Sequence, residues 1–192
     1  MSSKRIEQLS TLLNLTNDEI SARISSIKDQ ERRSRNLIMG RYYILQRDNI
    51  YAEAYQVADC MDRISALQYL QLSIRKIIDE IDILQNFDPN SNDAITSSLR
   101  TLSSFQHFVD SDSLHDFIRE LSKVMEKKNY LDIIDDNKWK TDIIYKYLGG
   151  NHDEERLLDI ISSSVPPESN MREKINSILE FKLFTAPRRL SN

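Results

Sequence analysis

Apolar residues recur at helical spacing from the first positions of the chain. The first set consists of Ile6, Leu9, Leu12 and Leu13. Steps of three and four residues place these side chains on one face of a helix, so we predict a short amphipathic helix over about residues 4–14. Thr16 followed by Glu19 is typical of a capping box, in which the two side chains satisfy free backbone N–H groups. We therefore expect a second helix to begin there.

The next part of the chain, residues 17–86, contains no proline and a single glycine, Gly40. Nothing in its composition forces a turn, and a continuous helix of this length would measure ~105 Å at ~1.5 Å per residue. A compact domain of this mass cannot contain such a helix. The sequence therefore predicts either a projecting rod or a hairpin that folds back at Gly40 or in the polar stretch 46–49.

A second apolar pattern, here called the seam, runs through residues 50–84. Its members alternate steps of four and three, with one extra step of three after Ile64, which is typical of a coiled coil with an irregular register. The seam residues are Ile50, Ala54, Val57, Met61, Ile64, Leu67, Leu70, Ile74, Ile77, Ile81 and Leu84. A long helix cannot bury such a stripe against itself, so we expect the seam to bind a partner helix.

The clearest interruption follows the seam, at residues 87–93, where Asp88 and Pro89 begin a polar stretch. Beyond it the pattern predicts shorter helices over about 94–109, 114–128, 137–148, 153–163 and 171–184. Their expected N-terminal caps are Asp93, Ser113, Asp136, Asn151 and Asn170. The fold class is all-α: a long coiled-coil-like helix or helical hairpin (1–86), a linker (87–93) and a small C-terminal helical bundle (94–192).

Composition supports this assignment. The 192 residues include only 3 glycines and 4 prolines, well below the ~7% and ~5% of ordinary proteins, so a sheet with many tight turns is disfavoured. The formal net charge of -4 gives no global attraction to nucleic acid or anionic membranes.

Cys60 is the only cysteine, which excludes an internal disulfide. With no apolar segment of transmembrane length, we expect a location in the cytoplasm or nucleus.

Candidate catalytic chemistry is sparse. The acidic loops around Asp88 and Asp110 lack the glycine and carboxylate positions of a calcium-binding EF-hand. No glycine-rich phosphate loop is present, since Gly149 and Gly150 are not followed by lysine and a hydroxyl residue. We therefore expect no catalytic residue, no metal site and no cofactor. A helical enzyme would instead need a deep polar pocket near one of the histidines, which are His107, His115 and His152.

Charge is unevenly distributed along the predicted arm. Residues 28–47 carry six basic and two acidic residues, with Tyr42 and Tyr43 among them. Candidate contacts to phosphates or to an acidic partner are Arg32, Arg33, Arg35, Arg41 and Arg47. The stretch is compatible with nucleic-acid binding, in which arginines meet phosphates and tyrosines stack on bases. We favour a solvated helix face or an acidic partner helix over nucleic acid, because the rest of the chain is acidic.

Association is the function that these patterns favour. We expect a non-catalytic helical subunit or adaptor of a multiprotein assembly, of scaffold or tether type, acting through coiled-coil and helix-packing contacts. The irregular seam and about half of the tyrosines on the long helix favour a different helical subunit over a second copy. The C-terminal bundle could also fold back and cover the seam. The alternative function is a nucleic-acid-binding module that uses residues 28–47.

Overall fold

The computed structural model describes residues 3–43, 47–89, 91–134, 145, 147, 148 and 150–165. These residues form six α-helices and one 3-10 helix, with no strand among them. The helices are α1 (Ser3–Tyr43), α2 (Arg47–Asp79), the 3-10 helix Ile81–Asn86, α3 (Asp93–Phe105), α4 (Asp112–Leu121), α5 (Lys127–Ile134) and α6 (Glu154–Ser164). The predicted all-α fold class is confirmed.

Helix α1 is continuous through the position where a new helix was predicted to begin. Thr16 is fully buried, and its hydroxyl donates a 2.8 Å hydrogen bond to the carbonyl of Leu12 one turn earlier. Glu19 accepts a 2.5 Å bond from the hydroxyl of Ser113 in α4. Neither side chain caps a helix, so the capping-box prediction is wrong. The bond of Thr16 is the usual one of a hydroxyl inside a helix, to the carbonyl four residues earlier, whereas Glu19 bonds to another helix.

Helices α1 and α2 pair in antiparallel fashion, which corresponds to the hairpin alternative and not to the rod. The amide of Gln71 donates to the hydroxyl of Ser21 at 2.8 Å. Arg41, near the end of α1, forms a 2.9 Å ion pair with Glu53, near the start of α2. Helix α1 ends at Tyr43 and α2 begins at Arg47, within the polar stretch 46–49 that was one of the two predicted turn positions, while Gly40, the other, lies inside α1.

The first compact unit contains Met1–Glu31 and Asp59–Asn151. Its core joins one face of α1 and one face of α2 to the shorter helices α3 and α4. Its fully buried members include Leu9, Leu13, Ile20, Leu67, Leu70, Ile74, Ile77, Leu99, Phe105 and Phe117. Burial of such side chains stabilises a fold by about 1.5–3 kcal/mol each before entropy is subtracted. This core therefore accounts for the pairing of α1 with α2 in the unit.

The helices of this unit begin and end at positions that differ from the prediction. Ser111 caps α4, because its hydroxyl accepts a 3.1 Å bond from the backbone N–H of Leu114. The expected cap Ser113 lies within α4. The single helix predicted over 114–128 is two helices, since backbone bonds of the turn type, such as Val124 N–H to Leu121 O, end α4. Phe87, in the predicted linker, is buried in the core.

The second compact unit contains Arg32–Ala58 and His152–Asn192. Its core is formed by Ile38, Tyr42, Ile50, Ala54, Val57, Ala58, Leu157, Ile160, Ile161 and Val165. Asp153, and not the expected Asn151, caps α6 by accepting a 2.8 Å bond from the backbone N–H of Arg156. The two units do not follow the predicted division at residues 86 and 94, because each takes segments from both parts.

Some predicted features fall outside the residues that the structure describes. They are the helix over 171–184, most of the helix over 137–148, and the expected caps Asp136 and Asn170.

Candidate partner-binding surface

The seam is almost entirely internal to this chain. Nine of its eleven members are buried, Ile81 is partly buried against the core of the first unit, and Met61 is 37% exposed. The buried members divide between the two units. Ile64, Leu67, Leu70, Ile74, Ile77 and Leu84 belong to the first core, and Ile50, Ala54 and Val57 belong to the second. Helices of the same chain therefore cover the seam. This corresponds to the alternative in which no partner helix is needed to bury it.

A surface for a partner has to be sought among exposed side chains, since buried ones offer no contact in this conformation. Large apolar side chains that are exposed in the described part of the chain are Leu15, Leu37, Tyr55, Met61, Tyr69, Leu72, Leu131, Tyr145 and Leu148. Three of them lie on α2 within the first unit. Met61 is 37% exposed, Tyr69 45% and Leu72 53%.

These three residues share one face of α2. At ~100° per residue, Met61, Ser65, Tyr69 and Leu72 fall within an arc of about 80°. Leu70, which is fully buried in the core, points about 160° away from Leu72. We name residues 61, 65, 69 and 72 the outer stripe of α2. The stripe lies on the side of the helix opposite the core and extends for about 16 Å along the axis.

The basic stretch is only partly available for a partner. The guanidinium of Arg35 donates to the hydroxyls of Ser163 and Ser164 at 3.2 and 3.1 Å. Arg41 donates to the backbone carbonyl of Asn49 at 3.1 Å, in addition to its ion pair with Glu53. Arg32 and Arg33 are exposed on α1, and the side chain of Arg47 lies outside what the structure describes. Arg35 and Arg41 therefore serve contacts within the second unit.

The three histidines occupy separate structural positions. His115 has its Nδ1 atom 2.8 Å from the carbonyl of Ser111 within α4. The ring of His152 packs edge-on against Tyr55, with ring centroids 4.7 Å apart, and its Nδ1 atom accepts from Arg156 at 3.2 Å. His107 lies after α3, next to the side chain of Gln106. Among the described residues, no group of three or more histidine, cysteine, aspartate or glutamate residues is arranged to hold a metal ion.

Perturbed pKa values follow burial. Burial raises the pKa of the Cys60 thiol; the guanidinium of Arg63 opposes this shift and the carboxylates of Glu31 and Asp59 add to it. Burial, together with the carboxylate of Glu154, raises the pKa of Tyr51. A thiol with a raised pKa forms less of the reactive thiolate at neutral pH. Cys60 therefore has the properties of a packing residue.

The tyrosines of α1 and α2 differ in exposure. Tyr42 is buried, Tyr51 is partly buried, and Tyr55 and Tyr69 are exposed. The side chain of Tyr43 lies outside the described part of the structure. The sequence pattern predicted contacts for about half of the tyrosines on the long helix without selecting individual residues, and it did not indicate Leu72. An apolar residue two positions after the seam residue Leu70 was the available signal, because it lies on the opposite helix face.

No helix in the described part of the chain is long and apolar enough to cross a membrane.

The chain was compared with protein families, with curated sequences and with solved structures. No protein-family model matches the chain, and no curated protein sequence matches it. The solved structures include the Ist1 N-terminal domain of S. cerevisiae, crystallised in complex with the Did2 MIM motif. The likeness covers 89% of this chain and 97% of that chain, with a TM-score of 0.73 and 16% sequence identity. This chain therefore has the all-helical fold of the Ist1 N-terminal domain.

Proposed function

We propose that this protein is a non-catalytic helical adaptor that binds a short segment of another protein within a larger assembly. The observation that carries the proposal is the likeness to the Ist1 N-terminal domain over nearly the whole of both chains, because that domain was crystallised with a motif of a second protein. A fold that holds a partner segment in one case provides helix faces suited to the same task in another.

The surface of the protein supports an adaptor role. The cores of the two units already use the seam, so further association needs the apolar residues that remain exposed. Exposed leucines and tyrosines are the residue types that supply contact area in protein interfaces, because a large apolar group is buried while the tyrosine hydroxyl stays hydrated.

The test is a crosslinking scan of the full-length chain in the cells that produce it. Photoreactive benzoylphenylalanine replaces, one at a time, each of the nine exposed apolar residues named above. Every protein that becomes crosslinked is then purified and titrated against the purified chain by calorimetry. We expect at least one partner to bind saturably, and a synthetic peptide of its crosslinked segment to reproduce the binding. If no crosslinked protein binds when purified, the adaptor role is refuted.

The alternative of nucleic-acid binding has narrower support, since Arg35 and Arg41 already make contacts within the chain. It would rely on Arg32 and Arg33, which lie exposed on α1. Binding to a labelled single-stranded oligonucleotide that falls steeply with salt, and that Arg32→Ala with Arg33→Ala abolishes, would favour it over the adaptor role.

We also propose a location in the cytoplasm or nucleus. A single free thiol, buried at Cys60, fits a reducing compartment.

A further inference from the structure

The end of α6 is joined to α1 through the guanidinium of Arg35. Its Nη1 atom donates to the hydroxyl oxygens of Ser163 and Ser164 at 3.2 and 3.1 Å, across 128 and 129 positions of the chain. The two hydroxyls in turn donate to the carbonyl of Ile160, at 3.0 and 2.7 Å. Each serine oxygen is therefore an acceptor towards the cation, because arginine can only donate. The contact lies wholly within the second unit.

Ser163 is the accessible member of this contact. It is exposed, whereas Ser164 is half-buried. Helix α6 ends at Ser164, and Val165 already has an extended backbone, with φ -106° and ψ 136°. The next residue in the sequence is a proline, which has no N–H to continue a helix. Helix ends fray more readily than helix centres, so the hydroxyl of Ser163 can be presented to an enzyme without unfolding of the unit.

We propose that Ser163 is a phosphorylation site and that Arg35 binds its phosphate. A serine kinase transfers the phosphoryl group from ATP. The Ser163 Oγ atom forms a bond to the γ-phosphorus, the bond from that phosphorus to the oxygen bridging to the β-phosphorus breaks, ADP leaves, and the hydroxyl proton is released. The product carries a charge of about -1.5 to -2 at pH 7 and three acceptor oxygens.

The phosphate changes the hydrogen bonds at the end of α6. The bond from the Ser163 hydroxyl to Ile160 is lost with the proton, and charge-assisted bonds from the guanidinium of Arg35 take its place. Such bonds are shorter and stronger than bonds between neutral groups. Phosphorylation therefore attaches the end of α6 more firmly to α1.

Other charges near Ser163 oppose the phosphate in part. Asp159 is exposed one turn before Ser163 on α6, and the C-terminal end of a helix disfavours an anion. On α1, Glu31 and Arg32 lie one turn before Arg35 and carry opposite charges. Distance decides the balance, because only the guanidinium of Arg35 is in hydrogen-bond contact with the oxygen that carries the phosphate. The Coulomb attraction falls with distance and with intervening water.

The first experiment asks whether the modification occurs. The full chain is isolated from the cells that produce it, with phosphatases inhibited, and is mapped by mass spectrometry before and after phosphatase treatment. We expect a phosphate on Ser163 that the treatment removes. An unmodified Ser163, or phosphate confined to Ser162 or Ser164, overturns the assignment.

The second experiment asks whether Arg35 binds the phosphate. Phosphoserine is incorporated at position 163 of the full chain, with phosphoserine at position 162 as the matched control. Ser162 is also exposed and points about 100° away from Ser163 around the helix. Phosphorus NMR measures the second pKa of each phosphate, ordinarily about 6. We expect the pKa to be lower at position 163 by about 0.5 or more, because a cation favours the doubly charged form, and Arg35→Gln to abolish the difference.

Hydrogen exchange measures how firmly the end of α6 is attached. Its backbone amides should exchange about threefold to tenfold more slowly with the phosphate at position 163 than at position 162. Arg35→Lys should keep part of the effect, since lysine retains the charge but not the planar pair of donors. Circular dichroism melts of the unphosphorylated variants check that they fold, and if Arg35→Gln does not, the comparison of the two phosphorylated wild-type chains still decides. Equal pKa values for the two phosphates, or equal exchange, would refute binding by Arg35.

Discussion

Leu70 and Leu72 provide a direct test of which face of α2 is internal. Both are leucines two positions apart in the same helix, so replacement by alanine changes helix propensity equally. Leu70 is fully buried among α1 and the shorter helices, whereas Leu72 is 53% exposed. Loss of a buried leucine side chain costs about 2–5 kcal/mol, because both transfer energy and packing around a cavity are lost. An exposed substitution of this kind changes stability by less than about 0.5 kcal/mol.

The assay is urea denaturation followed by circular dichroism, with thermal melts alongside. We expect Leu70→Ala to lower the free energy of unfolding of the first unit by about 2–5 kcal/mol, or Tm by roughly 4–20 °C for a chain of this size. Leu72→Ala is expected to resemble the wild type. Equal effects of the two substitutions, or a negligible effect of Leu70→Ala, would mean that the seam is exposed in solution. The antiparallel packing of α1 and α2 would then be refuted.

Three further predictions follow from single contacts. Asn17→Pro should lower the free energy of unfolding by about 3 kcal/mol or more, measured by denaturation, because Asn17 lies inside the continuous helix α1. If the proline were tolerated, a helix would instead begin at this position, as the sequence predicted, because proline is favoured in the first turn of a helix. A double-mutant cycle of Arg41 and Glu53 should give a coupling of about 0.5–1 kcal/mol that shrinks in 1 M salt, and an unchanged coupling would argue against an ion pair. Burial raises the pKa of the Cys60 thiol in the folded protein. The stability that the buried neutral thiol contributes should therefore be complete below about pH 8.5, the pKa of an unfolded thiol, and should disappear as the pH rises through the pKa of the folded state. Rapid labelling of Cys60 by a disulfide reagent at pH 7 without denaturant would contradict this burial.

Local features of the sequence predicted the helices but located their ends less well. Apolar spacing along α2 and the 3-10 helix was sufficient to identify residues that become buried: nine of the eleven seam residues are buried, six in the core of the first unit and three in that of the second. The caps were more difficult, since several serines and aspartates near each helix start can accept a backbone bond. Ser111 caps α4 two positions before the expected Ser113, and Asp153 caps α6 two positions after the expected Asn151. Which hydroxyl or carboxylate takes the role depends on where the helix can begin in its packed position.

The two candidate surfaces differed in how much the sequence could predict. The uneven charge of residues 28–47 was plain, but the contacts of Arg35 with Ser163 and Ser164 join positions far apart in the chain. No local rule could assign that guanidinium to an internal contact. The sequence could not predict the outer stripe for a similar reason. Tyr69 and Leu72 are identified as exposed only when it is known that the opposite face of α2 packs into the core.

The sequence by itself determined that this protein is helical, that residues 50–84 contain a face to be buried, and that few tight turns are available. These properties depend on residues three or four positions apart, or on composition, and so are local. Only the tertiary structure decided what covers these residues, since the hydrogen bond of Gln71 in α2 with Ser21 in α1 spans 50 positions and the cores join segments that are far apart in the chain. Whether a residue is buried depends on which helix packs against it as well as on its own side chain, and that helix is determined by the tertiary packing.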